Sequence, residues 1–248
     1  MNGWERHGIK HMSASSLNMW SGSQGAWVAK YLYGRKFPFS VAARAGVLAE
    51  DAVVAVLTGR LDKEAAIKEA EKSYNKAIML DRSDDNVKRG EAIRGFVENA
   101  LSELEPFGVP EFEPDGKQKG FSIMCKGDGW ELPVIGFIDL DYKDKIVDLK
   151  TTMRAPSSLS SEHARQCALY QKAFGKETRF LYVTPKKAVW HVCEDMDAVM
   201  AEIKTLLNRQ EKLLRSFDKE ELAKMVDVQP DSFYWGGAET IRKELFLF

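Results

Sequence analysis

The sequence predicts an α/β fold in which a central mixed β-sheet is flanked by helices and preceded by a helical N-terminal region. Three observations carry that expectation. The first 107 residues read mainly as helix-period runs. Val134 to Thr152 crowds β-branched and aromatic residues around a polar Lys143-Asp144 pair. A helix, a strand pair and a long amphipathic helix then follow in turn. At 248 residues the chain is long enough to bury a core as one domain. That domain is read in three stretches: 1–107 mainly helical, 108–217 sheet and core, and 218–248 a C-terminal tail.

Composition narrows the function classes. Lys plus Arg (36) nearly balances Asp plus Glu (37), so a polyanion partner would need a local basic patch. The hydrophobic share of 44% is ordinary, and no apolar run approaches the roughly 20 residues that span a bilayer. The N-terminus lacks a signal-peptide core, so a cytoplasmic location is expected. Cys125, Cys167 and Cys193 are an odd number without close spacing, which argues for small core residues rather than a disulfide framework.

In chain order, Ser13 or Ser15 can cap a first helix carrying Leu17, Trp20 and Trp27, which Ser21-Gly22-Ser23 and Gly25 break in two. Val41–Leu57, Asp62–Met79 and Asp84–Leu104 read as helices, the last ended by Pro106. Gly108 to Gly129, with Pro110 and Pro114, reads as loops and short strands. Ser160 or Ser161 caps a helix to Phe174, on which Gln166 and Tyr170 share a face at i and i+4. Strands over Thr178–Thr184 and Ala188–Cys193 and a helix over Met196–Phe217 follow. The aromatic tail, with Phe233, Tyr234, Trp235, Phe246 and Phe248, is expected to pack on its own domain or on a neighbouring subunit.

Chemistry concentrates at two places. Folding Val134–Thr152 symmetrically about Lys143-Asp144 sets Asp139 opposite Asp148, and the period-two alternation puts Lys150 on the same face. Opposed like charges destabilise a strand pair, so either a solvated face or a divalent cation with oxygen ligands must relieve them. The second place is Glu50. On a wheel of about 100° per residue, Ala43, Gly46, Val47, Val53, Val54 and Leu57 fall within about 60° of it, which centres Glu50 on the apolar arc. A carboxylate there must be paired, with Lys150 as one choice, protonated, or bound to a metal. Gly46 would let another backbone approach this helix closely.

Taken together, Gly46-Val47-Leu48-Ala49-Glu50, Gly136-Phe137-Ile138-Asp139, Asp148-Leu149-Lys150 and Gln166-Cys167-Ala168-Leu169-Tyr170 resemble, in order, the motifs of the PD-(D/E)XK nuclease superfamily. The branch is the RecB-like, phage (lambda-type) exonuclease one, whose N-terminal Ser-x-Ser segment Ser13 to Leu17 also resembles. The resemblance implies a restriction-endonuclease-like core and a Mg²⁺- or Mn²⁺-dependent deoxyribonuclease acting on DNA ends, in phage recombination, replication or DNA degradation. By it, Glu50, Asp139, Asp148 and the Leu149 backbone carbonyl would hold metal. Lys150 would orient or deprotonate water or stabilise the phosphate, and Gln166 would assist. Tyr170, Ser13, Ser15 and Arg154 would contact DNA. Relatives with an iron–sulfur cluster use four cysteines, so a cluster-free type is implied. A single-strand annealing partner, a homo-oligomer and the bacterial host cytoplasm belong to the same implication. The alternatives are a structure-specific endonuclease or resolvase of this fold, and a catalytically inactive DNA-binding relative.

Overall fold

The computed structural model describes residues 1–38, 40–113 and 118–246. In chain order they form α1 (Gly3–Arg6), β1 (Met12–Ser13), α2 (Ala14–Gly22), α3 (Gln24–Trp27) with a π-helical continuation (Val28–Leu32), α4 (Val41–Leu57), α5 (Lys63–Ala77), α6 (Asp84–Leu104), β2 (Lys119–Gly127), β3 (Trp130–Ile138), β4 (Leu140–Asp141), β5 (Lys145–Thr151), α7 (Ser161–Phe174), β6 (Glu177–Val183), β7 (Ala188–Val192), α8 (Met196–Ser216), α9 (Lys219–Met225) and α10 (Glu239–Phe246). Among the described residues no helix is long and apolar enough to cross a membrane. Two compact units interleave along the chain. One comprises Met1–Pro38, Gly120–Gly136 and Asp195–Phe248, the other Phe39–Lys119 and Phe137–Glu194. Neither coincides with the three consecutive stretches read from the sequence.

In the first unit, α1 lies directly on the backbone of α8. A Cβ at Gly3 would meet the Glu211 carbonyl oxygen at 2.6 Å, so only glycine fits. Trp4, fully buried, donates its indole N–H to Gln210 Oε1 at 3.2 Å and meets Trp130 edge to face. The sheet runs β1-β3-β2, with β1 parallel to β3. The nine-residue β2 corrects the expectation of loops and short strands over 108–129. Its half-buried Phe121, Ile123 and Cys125 alternate with exposed Gly120, Ser122, Met124 and Lys126, and Gly and Met blur that alternation in the sequence. The tail packs on its own chain. Trp235 is buried, donates to the Val228 carbonyl at 2.8 Å and meets Phe246 edge to face. Phe248 lies outside the described residues.

The second unit carries the four-stranded mixed sheet β4-β5-β6-β7, antiparallel, parallel and antiparallel in turn. Helix α7 is the crossover that a parallel β5–β6 pair requires. Ser160 starts it by accepting the His163 N–H, and Gly175, at φ 66°, ends it. Leu140, Val147, Leu149, Leu181 and Val183 share one apolar core with α4, α5 and α6. Phe180 and Tyr182, of opposite parity, pack with Cys167 of α7. The register Leu140↔Val147 and Asp141↔Ile146 centres the hairpin on Lys143-Asp144, as expected. Continued by one residue, it sets Asp139 opposite Asp148. Beside this turn the buried Asp141 carboxylate takes Lys119 at 2.7 Å and Lys176 at 2.5 Å, one on each oxygen.

Helix α6 seats against the β6–β7 turn through Gly95, where a Cβ would stand 2.5 Å from the Pro185 carbonyl oxygen and 2.8 Å from its Cα. Gly→Ala inside a free helix stabilises by about 1 kcal/mol. Here the backbone clash reverses the sign. Gly95→Ala is expected to cost about 1–3 kcal/mol of stability, read as a lowered Tm in a thermal melt; an unchanged or raised Tm would show that this packing is loose.

Candidate active site

Three separate segments of the second unit bring their polar groups together: α4, the strand pair around Asp139 and Asp148, and α7. Ser40 caps α4 by accepting the Ala43 N–H at 3.0 Å. The helix buries Ala45, Ala49, Ala52, Val53 and Ala55, whereas Val47 is 43% exposed. Glu50 therefore sits on the flank of the buried face, half-buried, and not at its centre as the wheel predicted. The reason is steric. Alanines let α4 lie close to its neighbours, and Gly46 faces Thr151, whose Oγ1 would be 3.0 Å from an added Cβ.

Asp139 occupies the break between β3 and β4, where its Oδ2 accepts the Leu149 N–H at 3.1 Å. One amide joins it to Glu50: Gln118 Nε2 donates to Glu50 Oε1 at 2.8 Å and to Asp139 Oδ1 at 3.1 Å. Sequence reading missed Gln118, because a lone glutamine in a polar stretch has no periodicity to mark it. Asp148 is fully buried. Lys150 Nζ stands 2.5 Å from its Oδ1, and Gln166 Nε2 donates to its Oδ2 at 2.9 Å. The salt bridge weighed for Glu50 and Lys150 is thus formed by Asp148 and Lys150.

Gln166 also donates to the Tyr170 hydroxyl at 2.5 Å, and that hydroxyl donates to the Phe137 carbonyl at 2.7 Å. Tyr170 is only 3% exposed, and its hydroxyl fixes the rotamer of Gln166. On the other side of Lys150, its ammonium lies 5.6 Å from the Phe180 ring centroid, His163 stacks on Phe180, and His163 Nδ1 shares a short hydrogen bond with the Tyr182 hydroxyl. His163 and Tyr182 are further residues that the sequence did not single out.

Of the remaining candidates, Ser13 caps α2 by accepting the Ser16 N–H at 3.1 Å, and its hydroxyl meets that of Ser15 at 3.0 Å. Both serines belong to the first unit, and the structure gives them a capping task. Arg154 is exposed just beyond β5, with its backbone held by Thr152. Among the described residues Cys125, Cys167 and Cys193 form no disulfide.

The electrostatics follow from burial and crowding. Burial first, then the Asp148 charge, pushes Glu50 up to about 7, against the pull of Lys150. Burial and the charges of Asp148 and Glu50 hold Asp139 well above the usual carboxylate range. Burial raises Asp148, while Lys150 draws it back. Burial works against the Lys150 ammonium, but Asp148, Asp139 and Glu50 outweigh it and raise its pKa. His163 is lowered to about 4, by burial and then by Lys150, and so is neutral at pH 7. The cluster is a surplus of carboxylate charge around one cation.

No family model matches the chain, and no curated protein does. Several solved structures are similar, among them the following two. The crystal structure of SSO0001 is 18% identical over 59% of this chain and 71% of that one, with a TM-score of 0.36. Scheffersomyces stipitis Rai1 in complex with (3′-NADP)⁺ and calcium ion is 11% identical over 92% and 73%, with a TM-score of 0.32.

The raised Glu50 carries a pH signature. Between its ordinary 4.5 and about 7 the folded protein retains a proton that the unfolded chain has released, so this contribution to stability is full below 4.5 and lost as pH rises through 7. The Tm of metal-free protein is expected to fall between about pH 5 and 7.5. Glu50→Gln should flatten that fall by ~3 °C, leaving the parts due to Asp139 and Asp148. Parallel curves for the two proteins would remove Glu50 from the coupled cluster.

Proposed function

We propose that the chain is a divalent-cation-dependent deoxyribonuclease of the PD-(D/E)XK, RecB-like phage exonuclease type, removing nucleotides from DNA ends. The observation that carries this reading is the convergence of Glu50, Asp139, Asp148, Lys150 and Gln166, from segments over a hundred residues apart, in one cluster bridged by Gln118. Each belongs to a motif of that superfamily, and their spacing alone does not require that they meet.

The donor chemistry suits Mg²⁺ or Mn²⁺. The Asp148 charge raises both Glu50 and Asp139, and the buried Asp148 Oδ1 receives no hydrogen bond beyond its ion contact with Lys150. Among the described residues no three acidic, histidine or cysteine side chains stand in a coordinating arrangement, and Gln118 and Lys150 hold oxygens that a cation would take. Glu50, Asp139 and Asp148, with the Leu149 carbonyl, would hold the ion once those contacts open. When bound, the ion supplies neutralisation of the scissile phosphate and a more acidic water.

The chain's own groups divide the remaining work. Lys150, kept protonated by the carboxylates, is placed to stabilise negative charge on the phosphate rather than to accept a proton from water. Gln166, locked by Tyr170, holds the Asp148 carboxylate in one orientation. The neutral His163 and the Tyr182 hydroxyl wall the Lys150 side without adding a second charge. DNA is the substrate, in the cytoplasm. A single-strand annealing partner and a homo-oligomer go with the type.

The deciding experiment digests a linear duplex labelled at one end, with Mg²⁺ or EDTA, beside a covalently closed circle. Metal-dependent loss of the linear DNA with the circle intact is expected, and cleavage of the circle would move the reading to an endonuclease. Asp148→Ala should lower the rate by about 100-fold or more while leaving DNA binding measurable. Full activity in that variant would sink the assignment.

A further inference from the structure

We propose that the open groove at the carboxyl ends of β5 and β6 is a track for the phosphodiester backbone of one nucleic-acid strand, with Lys88, Arg154, Lys186 and Lys187 as its phosphate contacts. The identity of the polyanion rests on the nuclease reading. The groove, of about 640 Å³, lies within the second unit, and among the described residues Glu91 is the one acid that lines it. Four cations against one carboxylate form a local excess in a chain whose net charge is −1.

These cations are uncommitted. All four are exposed, and among the described residues none forms an ion pair. Elsewhere in the same unit several cations are committed to carboxylates: Arg94 with Glu64 and Glu98, Lys119 and Lys176 with Asp141, and Arg179 with Glu177, whereas others, such as Lys72 and Lys76, stand exposed without lining this groove.

The segments that present them are rigidly built. In the β6–β7 turn Thr184 Oγ1 accepts the N–H groups of Lys186 and Lys187 at 3.2 and 3.0 Å, and the Thr184 N–H donates to the Lys187 carbonyl at 2.8 Å. Asn99 of α6 donates to the Thr184 carbonyl at 3.0 Å. Across the groove, Thr152 Oγ1 donates to the Arg154 carbonyl at 2.9 Å and accepts its N–H at 3.3 Å. The backbones that carry the charges are therefore ordered before a ligand arrives, which lowers the entropic cost of binding.

Topology links the groove to the chemistry. Because β5 and β6 are parallel, with Thr151 beside Val183, both chains leave the sheet at the same edge, where open α/β sheets take their ligands. Arg154 follows Lys150 by four residues, a reach of at most about 14 Å. That corresponds to roughly four nucleotides at about 3.4 Å of rise per strand position. The cations come from three segments that line one open groove: Lys88 on α6, Arg154 after β5, and Lys186 and Lys187 in the β6–β7 turn. Four cations in one open groove suit a repeating anion better than a single phosphate.

The test measures binding of a fluorescent blunt duplex in EDTA between about 50 and 200 mM salt, where no cleavage occurs. Each phosphate contact adds about 0.9 to the slope of log K against log salt. Lys186→Glu/Lys187→Glu should make the slope shallower by about 2 and weaken binding at low salt, and Lys186→Gln/Lys187→Gln should give the same slope change without new repulsion. Lys72→Glu/Lys76→Glu, on the exposed face of α5, alters net charge equally and should leave the slope alone. Wild-type slopes in both groove variants, or an equal change in the α5 variant, would overturn the proposal. Failure of the nuclease reading shows differently, as full binding by the unaltered protein without cleavage in Mg²⁺.

Discussion

The contact between Asp148 and Lys150 is the constraint around which the second unit is arranged. A carboxylate fully buried in a strand with neighbours on both sides costs several kcal/mol in desolvation unless it is paired. Lys150, two residues on and on the same side of the strand, supplies the charge, and Gln166 supplies the remaining donor. Because α7 must present Gln166 at that depth, the crossover between β5 and β6 is pinned to the sheet by a polar contact as well as by Cys167. Site and fold therefore share the same atoms.

Charge at the site is balanced so that little of it is spent internally. Three carboxylates face one ammonium, and the nearby aromatic groups add none: burial holds His163 at about 4 and pushes Tyr182 to about 12, leaving both neutral over the physiological range. The field felt by an incoming group is then set by Lys150 and whichever carboxylates are ionised. Gln118 joins two of those carboxylates, lending one N–H donor to Glu50 and one to Asp139.

How much of this was legible in the sequence depended on whether the signal was local. The hairpin register was legible because two β-rich arms flank a polar pair, and period-two alternation then leaves one choice of face. Val41–Leu57 and Asp84–Leu104 were legible to the residue, through helical periodicity and the stop at Pro106. The i, i+4 pairing of Gln166 and Tyr170 put them on one face, as found, but not the depth at which Tyr170 lies. Glu50 was misplaced on its wheel because valines were counted as core, when the close approach selected alanines. Gln118 and the Gly95–Pro185 seat depend on contacts between segments far apart in sequence. No composition or spacing rule reports those.

The interleaving of the two units has a consequence for how the chain comes to fold. During synthesis every segment of the second unit has been made once Glu194 is added, whereas α8, on which α1 rests, does not yet exist. The hydrogen bond between Gly3 and Glu211 closes a separation of 208 residues, so α1 waits for its partner until α8 has been made. Loop closure over that length is entropically costly and slow. Trp4 donates to Gln210 of α8, so the setting that buries its indole is complete only after α8 has joined α1.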